Sequence, residues 1–429
     1  MKKAALIIDR IRTGGKTLAK HVYRRPFIWG APLYRRLIPK TRFVGITGSG
    51  GKTTTKDLIF DVLNSKFRAH KSHDTNNQLY TVARTMFEIR PGVEYCVQEV
   101  GVSSPGSLDR SVELLAPSIA VVTNIRTDHC TSFKDEDAIA DEKSKLVRGL
   151  NPGGIAILNA DDERVLAMAA HAAGTVLTYG TSPSADVRAD AVVSEWPEGL
   201  RFVVHYRGES FAGRTALHGT YLIHCVLAAV AVGIAVGMTV PECLEAIRNF
   251  GPRLGRMSIH HTRRGVTFVR DDWKSPLWSI RHPIDFVSTL PARRRLLVLG
   301  TISDYRGASY QRYRDTVKHA LDVFDEVLMV GEHAGKAERL SKLLDSQALH
   351  GFETVEGAAR YVLDTAQSGD VVLIKGPNPG QHLARIALVF DADVRCWRTK
   401  CGKEIFCDAC ALLTVPGSAR GTGASSRVI

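Results

Sequence analysis

One stretch limits what this chain can fold into more than any other: Phe43-Val-Gly-Ile-Thr-Gly-Ser-Gly-Gly-Lys-Thr-Thr-Thr55. A short apolar run, 43–47, empties into glycines at 48, 50 and 51, and a helix-like run through residue 63 follows. Glycine lets backbone N–H groups turn inward and lets phosphate oxygens come close, because no Cβ stands between them. Lys52 then reaches the β and γ phosphates of a nucleotide, and the Thr53 hydroxyl can bind Mg²⁺. The start of the helix adds its positive end. The candidate phosphate site is therefore Thr47, Gly48, Ser49, Gly50, Gly51, Lys52, Thr53 and Thr54. A strict loop of this kind carries Gly where this chain has Ile46, so the match is to a variant.

A strand that ends in such a loop belongs to a parallel sheet, and the rest of the chain continues the pattern. Strand-like runs at 95–100, 119–123, 155–159 and 176–179 alternate with helical ones. A more polar, alternating stretch at 186–214 predicts an antiparallel edge, and 221–236 a buried helix. After a Gly/Pro-rich turn at 251–256 come further strand runs at 266–269, 295–299, 326–330 and 371–374. The expected class is α/β: a P-loop parallel-sheet central domain at 42–255 and a smaller Rossmann-like C-terminal domain at 256–394. A basic arm at 1–41, a cysteine module at 395–413 and a disordered Gly/Ser-rich tail at 414–429 complete the division. Ligands in such sheets bind beyond the carboxyl ends of the strands.

The 429 residues carry a formal charge of +13, which favours anionic partners. Much of the excess precedes residue 42, where Asp9 is the one acid. A solvated arm is the expectation there. Peripheral membrane contact through Leu6, Ile7 and Ile11 is the alternative. The basic residues lack interleaved aromatics, so no nucleic-acid partner is expected. The apolar run 4–8 is too short for a secretory signal and no twenty-residue apolar run exists. The expected compartment is the cytoplasm.

Three further features fall at strand ends. Glu99 closes the run Tyr95-Cys-Val-Gln-Glu99, where a carboxylate can bind Mg²⁺ beside phosphates. Strand 119–123 opens into a loop that closes on Asp128-His129, and Lys143 follows in a helical stretch with Lys145 nearby. Taken singly, each is as readily a solvated strand end, a structural histidine or a solvated helix face. Their order after the phosphate loop resembles the Mur ligase family, which builds the peptide of the bacterial cell wall, and within it the members that add the terminal dipeptide.

The resemblance covers about residues 42 to 390. It implies ATP and Mg²⁺ as cofactors, with Glu99 and His129 as metal ligands and Lys143 as the lysine carbamylated in several members. Asn76-Asn77 is similar to a substrate-side asparagine pair, and Asn159-Ala-Asp161 to a motif after the next strand. Arg256 is similar to a hinge arginine that meets nucleotide phosphates, and Asp272 to a ribose-binding aspartate. Lys274 is then expected at phosphate or acceptor carboxylate, and Lys375 at the substrate face of the C-terminal domain. Leu222 and Cys225 stand where the family has asparagines near adenine, leaving its readout to His224, Tyr221 or backbone groups. The 42 residues before the first strand are fewer than the family's UDP-sugar-binding domain needs, so a soluble UDP-muramyl substrate is not expected unless another protein or a lipid carrier presents it.

These implications converge on an ATP-dependent, ADP-forming ligase joining a small-molecule carboxylate to an amine through an acyl phosphate. The alternative is a nucleotide-binding scaffold of the same fold that has lost ligation. Cys396, Cys401, Cys407 and Cys410 put four thiols within fifteen residues. Their spacing suits structural Zn²⁺, with a redox or free-thiol role as the other reading.

Overall fold

The computed structural model describes residues 24–73, 75, 77–399, 401, 403 and 405–416. Leu6, Ile7, Ile11 and Asn76, and the tail from residue 417, lie outside them. Two compact units emerge. The first holds residues up to Val192, Arg201–Arg214 and Leu222–Asn249; the second holds Val193–Leu200, Thr215–Tyr221 and the chain from Phe250. The boundary is thus crossed more than once.

The first sheet has nine strands: β1 (Arg42–Thr47), β2 (Ala69–Lys71), β3 (Tyr95–Glu99), β4 (Ile119–Val122), β5 (Ile155–Asn159), β6 (Thr175–Gly180), β7 (Val187–Glu195), β8 (Gly199–Tyr206) and β9 (Glu209–Thr215). Their order across the sheet is β2-β3-β1-β4-β5-β6-β7-β8-β9. The strands from β2 to β7 pair parallel. β8 and β9 are joined by Arg207 and Gly208, both with positive φ, a two-residue turn of the kind that reverses a chain into a hairpin.

The central strands are buried on both faces, which is why they read as nearly continuous apolar runs rather than alternating ones. One face packs Phe43, Cys96, Ala120, Val122 and Leu158 against helices Leu79–Glu88, Asp109–Leu115 and Glu136–Arg148. Helix Lys52–Asn64 packs against helix Ile223–Ala235, which is buried almost throughout. No helix among the described residues is long and apolar enough to cross a membrane.

The expectation of a solvated arm needs correction for residues 24–41. Residues 24–37 form a helix. Ala31 and Ile38 are buried, Phe27 meets Tyr80 and Phe87 edge-on, and the Tyr34 hydroxyl donates to the Ile89 carbonyl at 2.9 Å. Positions 27, 31, 34 and 38 recur at helical spacing, and that stripe is what pins the helix to the unit.

In the second unit β10 (Ser258–His261), β11 (Thr267–Asp271), β12 (Arg295–Leu299), β13 (Glu326–Val330), β14 (Leu349–Phe352) and β15 (Val371–Lys375) are arranged β10-β11-β15-β12-β13-β14. Only the β10–β11 pairing among these is antiparallel.

Candidate functional site

In the first sheet the chain leaves β1 toward β2 and β3 on one side and later crosses to β4 on the other. That reversal opens a crevice at the carboxyl ends of β1, β3 and β4. The phosphate loop, Glu99 and the turn Thr123–Asn124 all lie there.

The loop's shape depends on two glycines. Gly48 has φ 142°, and a Cβ on it would stand 1.9 Å from the Thr123 hydroxyl oxygen. Gly51, at φ 76°, caps the helix in the left-handed region. The turn after β4 grips the loop. The Thr123 hydroxyl donates to the Gly50 carbonyl at 2.6 Å, and the Gly50 N–H donates to Asn124 Oδ1 at 2.8 Å. Ser49 donates through its hydroxyl to the Arg126 carbonyl and accepts from the Arg126 N–H. Asn159 ties the same turn to β5 by donating to the Thr123 carbonyl at 2.8 Å. Asn124 opens the polar loop that closes on Asp128-His129, but nothing in the sequence showed that it and Thr123 would hold the Gly50 backbone.

Two lysines meet at one carbonyl. Lys52 Nζ donates to the Gly48 oxygen at 2.7 Å, and Lys143 Nζ approaches the same oxygen at 3.2 Å. Lys143 is 1% exposed. Gly45 permits this: a Cβ there would lie 2.8 Å from Leu146 and 2.9 Å from Leu115, so glycine lets helix Glu136–Arg148 sit close on β1. Lys143 is one turn before Leu146 on the same helix face. Its Nζ is also 3.9 Å from Asp128, and Asp128 lies 3.6 Å from His129 Nε2. His129, Asp128, Lys143, the Gly48 carbonyl and Lys52 thus form a linked polar chain. Lys145, by contrast, pairs with Asp109 and Glu142, away from the loop.

Two of the three candidate Mg²⁺ ligands, Thr53 and Glu99, are brought together. The Thr53 hydroxyl donates to Glu99 Oε2 at 2.9 Å, and Asn77 Nδ2 donates to Glu99 Oε1 at 3.0 Å. Glu99 is 2% exposed. A hydroxyl and a buried carboxylate are hard oxygen donors, which suit Mg²⁺. Asn77 also fits tightly against Gly101, where a Cβ would come within 2.2 Å of its amide carbon.

The adenine candidates are committed elsewhere. His224 Nε2 lies 2.8 Å from Asp161 Oδ2, and Asp161 also accepts from the backbones of Thr181 and Ser182. Burial opposes ionisation of Asp161, but His224 and these N–H donors outweigh it and hold the carboxyl well below the usual range. Tyr221, in the second unit, stacks on His282.

In the second unit Asp271 closes β11 beside the end of β15, and Lys375 Nζ donates to it at 2.5 Å and to the Lys274 carbonyl at 3.1 Å. Lys274 itself is exposed, and Arg256 is half-buried in the turn before β10. Asp272 is fully buried, and the expected ribose contact is covered in this structure. Arg270 donates to Asp272 at 3.4 Å and to Asp408 at 2.5 Å. Phe406 lies over Trp273 and against Gly255, whose φ of 68° leaves no room for a side chain. Among the described residues, none gives Asp272 Oδ1 a hydrogen bond. Burial pushes its carboxyl up, and Arg270 offsets only part of that. Sequence reasoning missed Asp408 and Phe406, because nothing local marks a contact across 138 residues.

Cys396, Cys401, Cys407 and Cys410 line one small cavity with His382 and Arg385. Arg385 is buried and donates to the Cys396 and Arg398 carbonyls, docking the cysteine segment on the unit. Cys401 lies 2.9 Å from His382 Nε2 and Cys407 3.6 Å from Nδ1. As placed, no three His, Cys, Asp or Glu side chains among the described residues converge to hold a metal ion.

Comparison with known proteins adds the following. Residues 46–233 match the Mur ligase middle domain, and residues 255–378 match the Mur ligase glutamate ligase domain. A UDP-N-acetylmuramoyl-tripeptide--D-alanyl-D-alanine ligase from Bacillus subtilis is 26% identical over 338 residues, 78% of this chain and 73% of that protein. The Mycobacterium leprae protein of the same name is 29% identical over 386 residues, 82% of this chain and 74% of that one. The fold is similar to the crystal structure of MurF ligase from Thermotoga maritima in complex with ADP: TM-score 0.71, 19% identity, 86% of this chain and 83% of that one. MurF from Acinetobacter baumannii gives a TM-score of 0.77 at 21% identity, over 86% and 80%.

Proposed function

The chain belongs to the Mur ligase family, and from that premise we propose that it is an ATP-dependent, ADP-forming carboxylate–amine ligase of cell-envelope peptide synthesis. The observation that carries the reading is the meeting of the phosphate loop with Glu99 through Thr53. A carboxylate oxygen of the acid attacks the γ-phosphorus, the bond to the bridging oxygen breaks, and ADP leaves. The amine nitrogen then attacks the acyl carbon and loses a proton, and inorganic phosphate leaves. The protein's part is positioning and neutralisation of charge on the transferring phosphoryl group.

Lys52 swings from the Gly48 carbonyl to the phosphates. Lys143, fixed by Asp128 and helix packing, keeps positive charge under the loop, and a carbamate on it would reverse that charge. Thr53 and Glu99 would hold Mg²⁺, with His129 a ligand for a second ion; bound there, the metal spreads the charge of the phosphate oxygens. Asn77 and Lys375 belong to the substrate side in this reading, and Arg256, Asp272 and Lys274 to the nucleotide. Use of ATP makes the cytoplasm the expected compartment.

The test uses the acid and dipeptide named for the relatives, then other acid–amine pairs, with ¹⁸O in the acid's carboxylate. Transfer of one ¹⁸O to inorganic phosphate, with ADP release dependent on both substrates, is expected. ATP hydrolysis with no label in phosphate would remove the acyl-phosphate step.

The four C-terminal cysteines are proposed to hold a structural Zn²⁺. Four thiolates are a donor set that this ion takes as a closed tetrahedron, which leaves no catalytic position. Binding requires Cys401 and Cys407 to turn from His382. Elemental analysis of the purified full chain should find one zinc per chain, lost with Cys407→Ser. A metal-free protein whose four thiols all react with a thiol reagent, or pair as disulfides, supports the redox reading instead.

A further inference from the structure

Helix 24–37 has a second face that none of the described residues covers. Trp29, Leu33 and Leu37 are 70%, 66% and 72% exposed. They recur at i, i+4 and i+8, so they form one stripe opposite the packed residues Phe27, Ala31, Tyr34 and Ile38. Large apolar side chains scattered singly on a surface are ordinary. Three in a row on one helix face, one of them tryptophan, are not.

The charges that residues 24–40 themselves carry have one sign. Arg25, Arg36 and Lys40 are exposed along it, and residues 24–40 contain no Asp or Glu. Arg24 and Arg35 are drawn inward over the rings of Tyr80 and Phe43, so they add positive potential without leaving the packed side. The described part of the helix is fixed to the unit by its inner stripe, and no helix among the described residues is long and apolar enough to span a bilayer. A basic helix pinned along one face that shows an apolar stripe with tryptophan on the other suits the boundary between headgroups and acyl chains.

We propose that the outer face of helix 24–37 is a peripheral docking surface for an anionic lipid bilayer. Trp29, Leu33 and Leu37 enter the interface, and Arg25, Arg36 and Lys40 meet lipid phosphates. A protein partner with an apolar groove would not explain why every charge within residues 24–40 is positive; an anionic surface does. The surface is separate from the phosphate loop, so the proposal stands or falls apart from the ligase reading.

The test is co-sedimentation of the full chain with vesicles of phosphatidylcholine alone or with about a third phosphatidylglycerol, a content that sets up a strong surface potential. Binding to the anionic vesicles is expected. It should weaken at least about tenfold in the triple variant Trp29→Ser/Leu33→Ser/Leu37→Ser and fall with salt. The substituted side chains are exposed, so the variant should melt with the parent. In the parent, brominated lipid should quench tryptophan fluorescence, and Trp29→Phe should remove that quenching. Equal binding to both vesicle types, or binding untouched by the triple variant, overturns the proposal. A self-associated parent that the triple variant turns monomeric, with no vesicle binding, overturns it in favour of a protein occupant.

Discussion

Replacing Lys52 with alanine should lower ADP formation by about three orders of magnitude while leaving the fold intact. Lys52 is the one residue of the loop whose side chain can place a full positive charge against the β and γ phosphates. In the structure it rests on the Gly48 carbonyl at 2.7 Å and reaches the Ser49 carbonyl at 3.5 Å. It is only partly buried, so its loss leaves no buried charge without a partner. A change in stability within about 0.5 kcal/mol is expected. Losing one preorganised donor at a developing charge typically costs 10²–10³ in rate, and a cation in a dry site sits at the upper end. Lys143 does not replace it, because its Nζ is held beneath the loop between Gly48 and Asp128. The measurement is steady-state ADP release by parent and Lys52→Ala, with thermal melts of both. Turnover within about threefold of the parent, in a folded variant, would falsify the catalytic assignment of this loop.

The phosphate loop was legible because its information is local. Contiguous glycines, a lysine and a threonine between a strand and a helix state their own geometry, and the register of β1 with β3 then carries Glu99 to the same end of the sheet. What the sequence concealed falls into two kinds. Strands β2, β10 and β14 are only three or four residues long, and β2 and β10 are half-buried. They show too little period to separate from loop. Contacts between distant segments are the other kind: Asn124 on Gly50, and Asp408 on Arg270. Neither residue type is unusual where it stands, so only folding shows what it touches. Helix 24–37 was hidden by its own composition. Its arginines and three prolines within residues 26–39 suggest a solvated arm, although the stripe Phe27, Ala31, Tyr34 and Ile38 carries the helical period.

The covered Asp272 shows how a family resemblance and a structure can bear on one residue without contradiction. The resemblance places a nucleotide hydroxyl at Asp272. In the structure its Oδ1 is buried without a hydrogen-bond partner among the described residues, beside Gly255, against which the Phe406 ring also lies. A buried acceptor left unpaired costs about 1–3 kcal/mol, so this carboxylate gains from any hydroxyl that reaches it. Asp408 and Phe406 are what a nucleotide would have to displace, and both lie in the segment that carries Cys407 and Cys410.

Glu99→Gln should lower turnover by about 10²- to 10³-fold and raise the Mg²⁺ concentration needed for half-maximal rate. Glutamine keeps the size of the side chain and one oxygen to accept from Thr53 or Asn77, now 2.9 and 3.0 Å away, so packing is preserved. It removes the negative charge, and with it the reason for a divalent cation to settle beside the loop. Stability should hold or rise slightly, because the carboxylate is 2% exposed and its charge is costly to bury without a cation. That opposite movement of rate and stability separates a metal-binding role from a structural one, for which both would fall together. Titrating ADP release against Mg²⁺ in parent and variant, with melts in the absence of the ion, reads both. If Mg²⁺ dependence were unchanged and only the melt moved, Glu99 would be a structural partner of Thr53 and Asn77 and the metal would have to be held elsewhere.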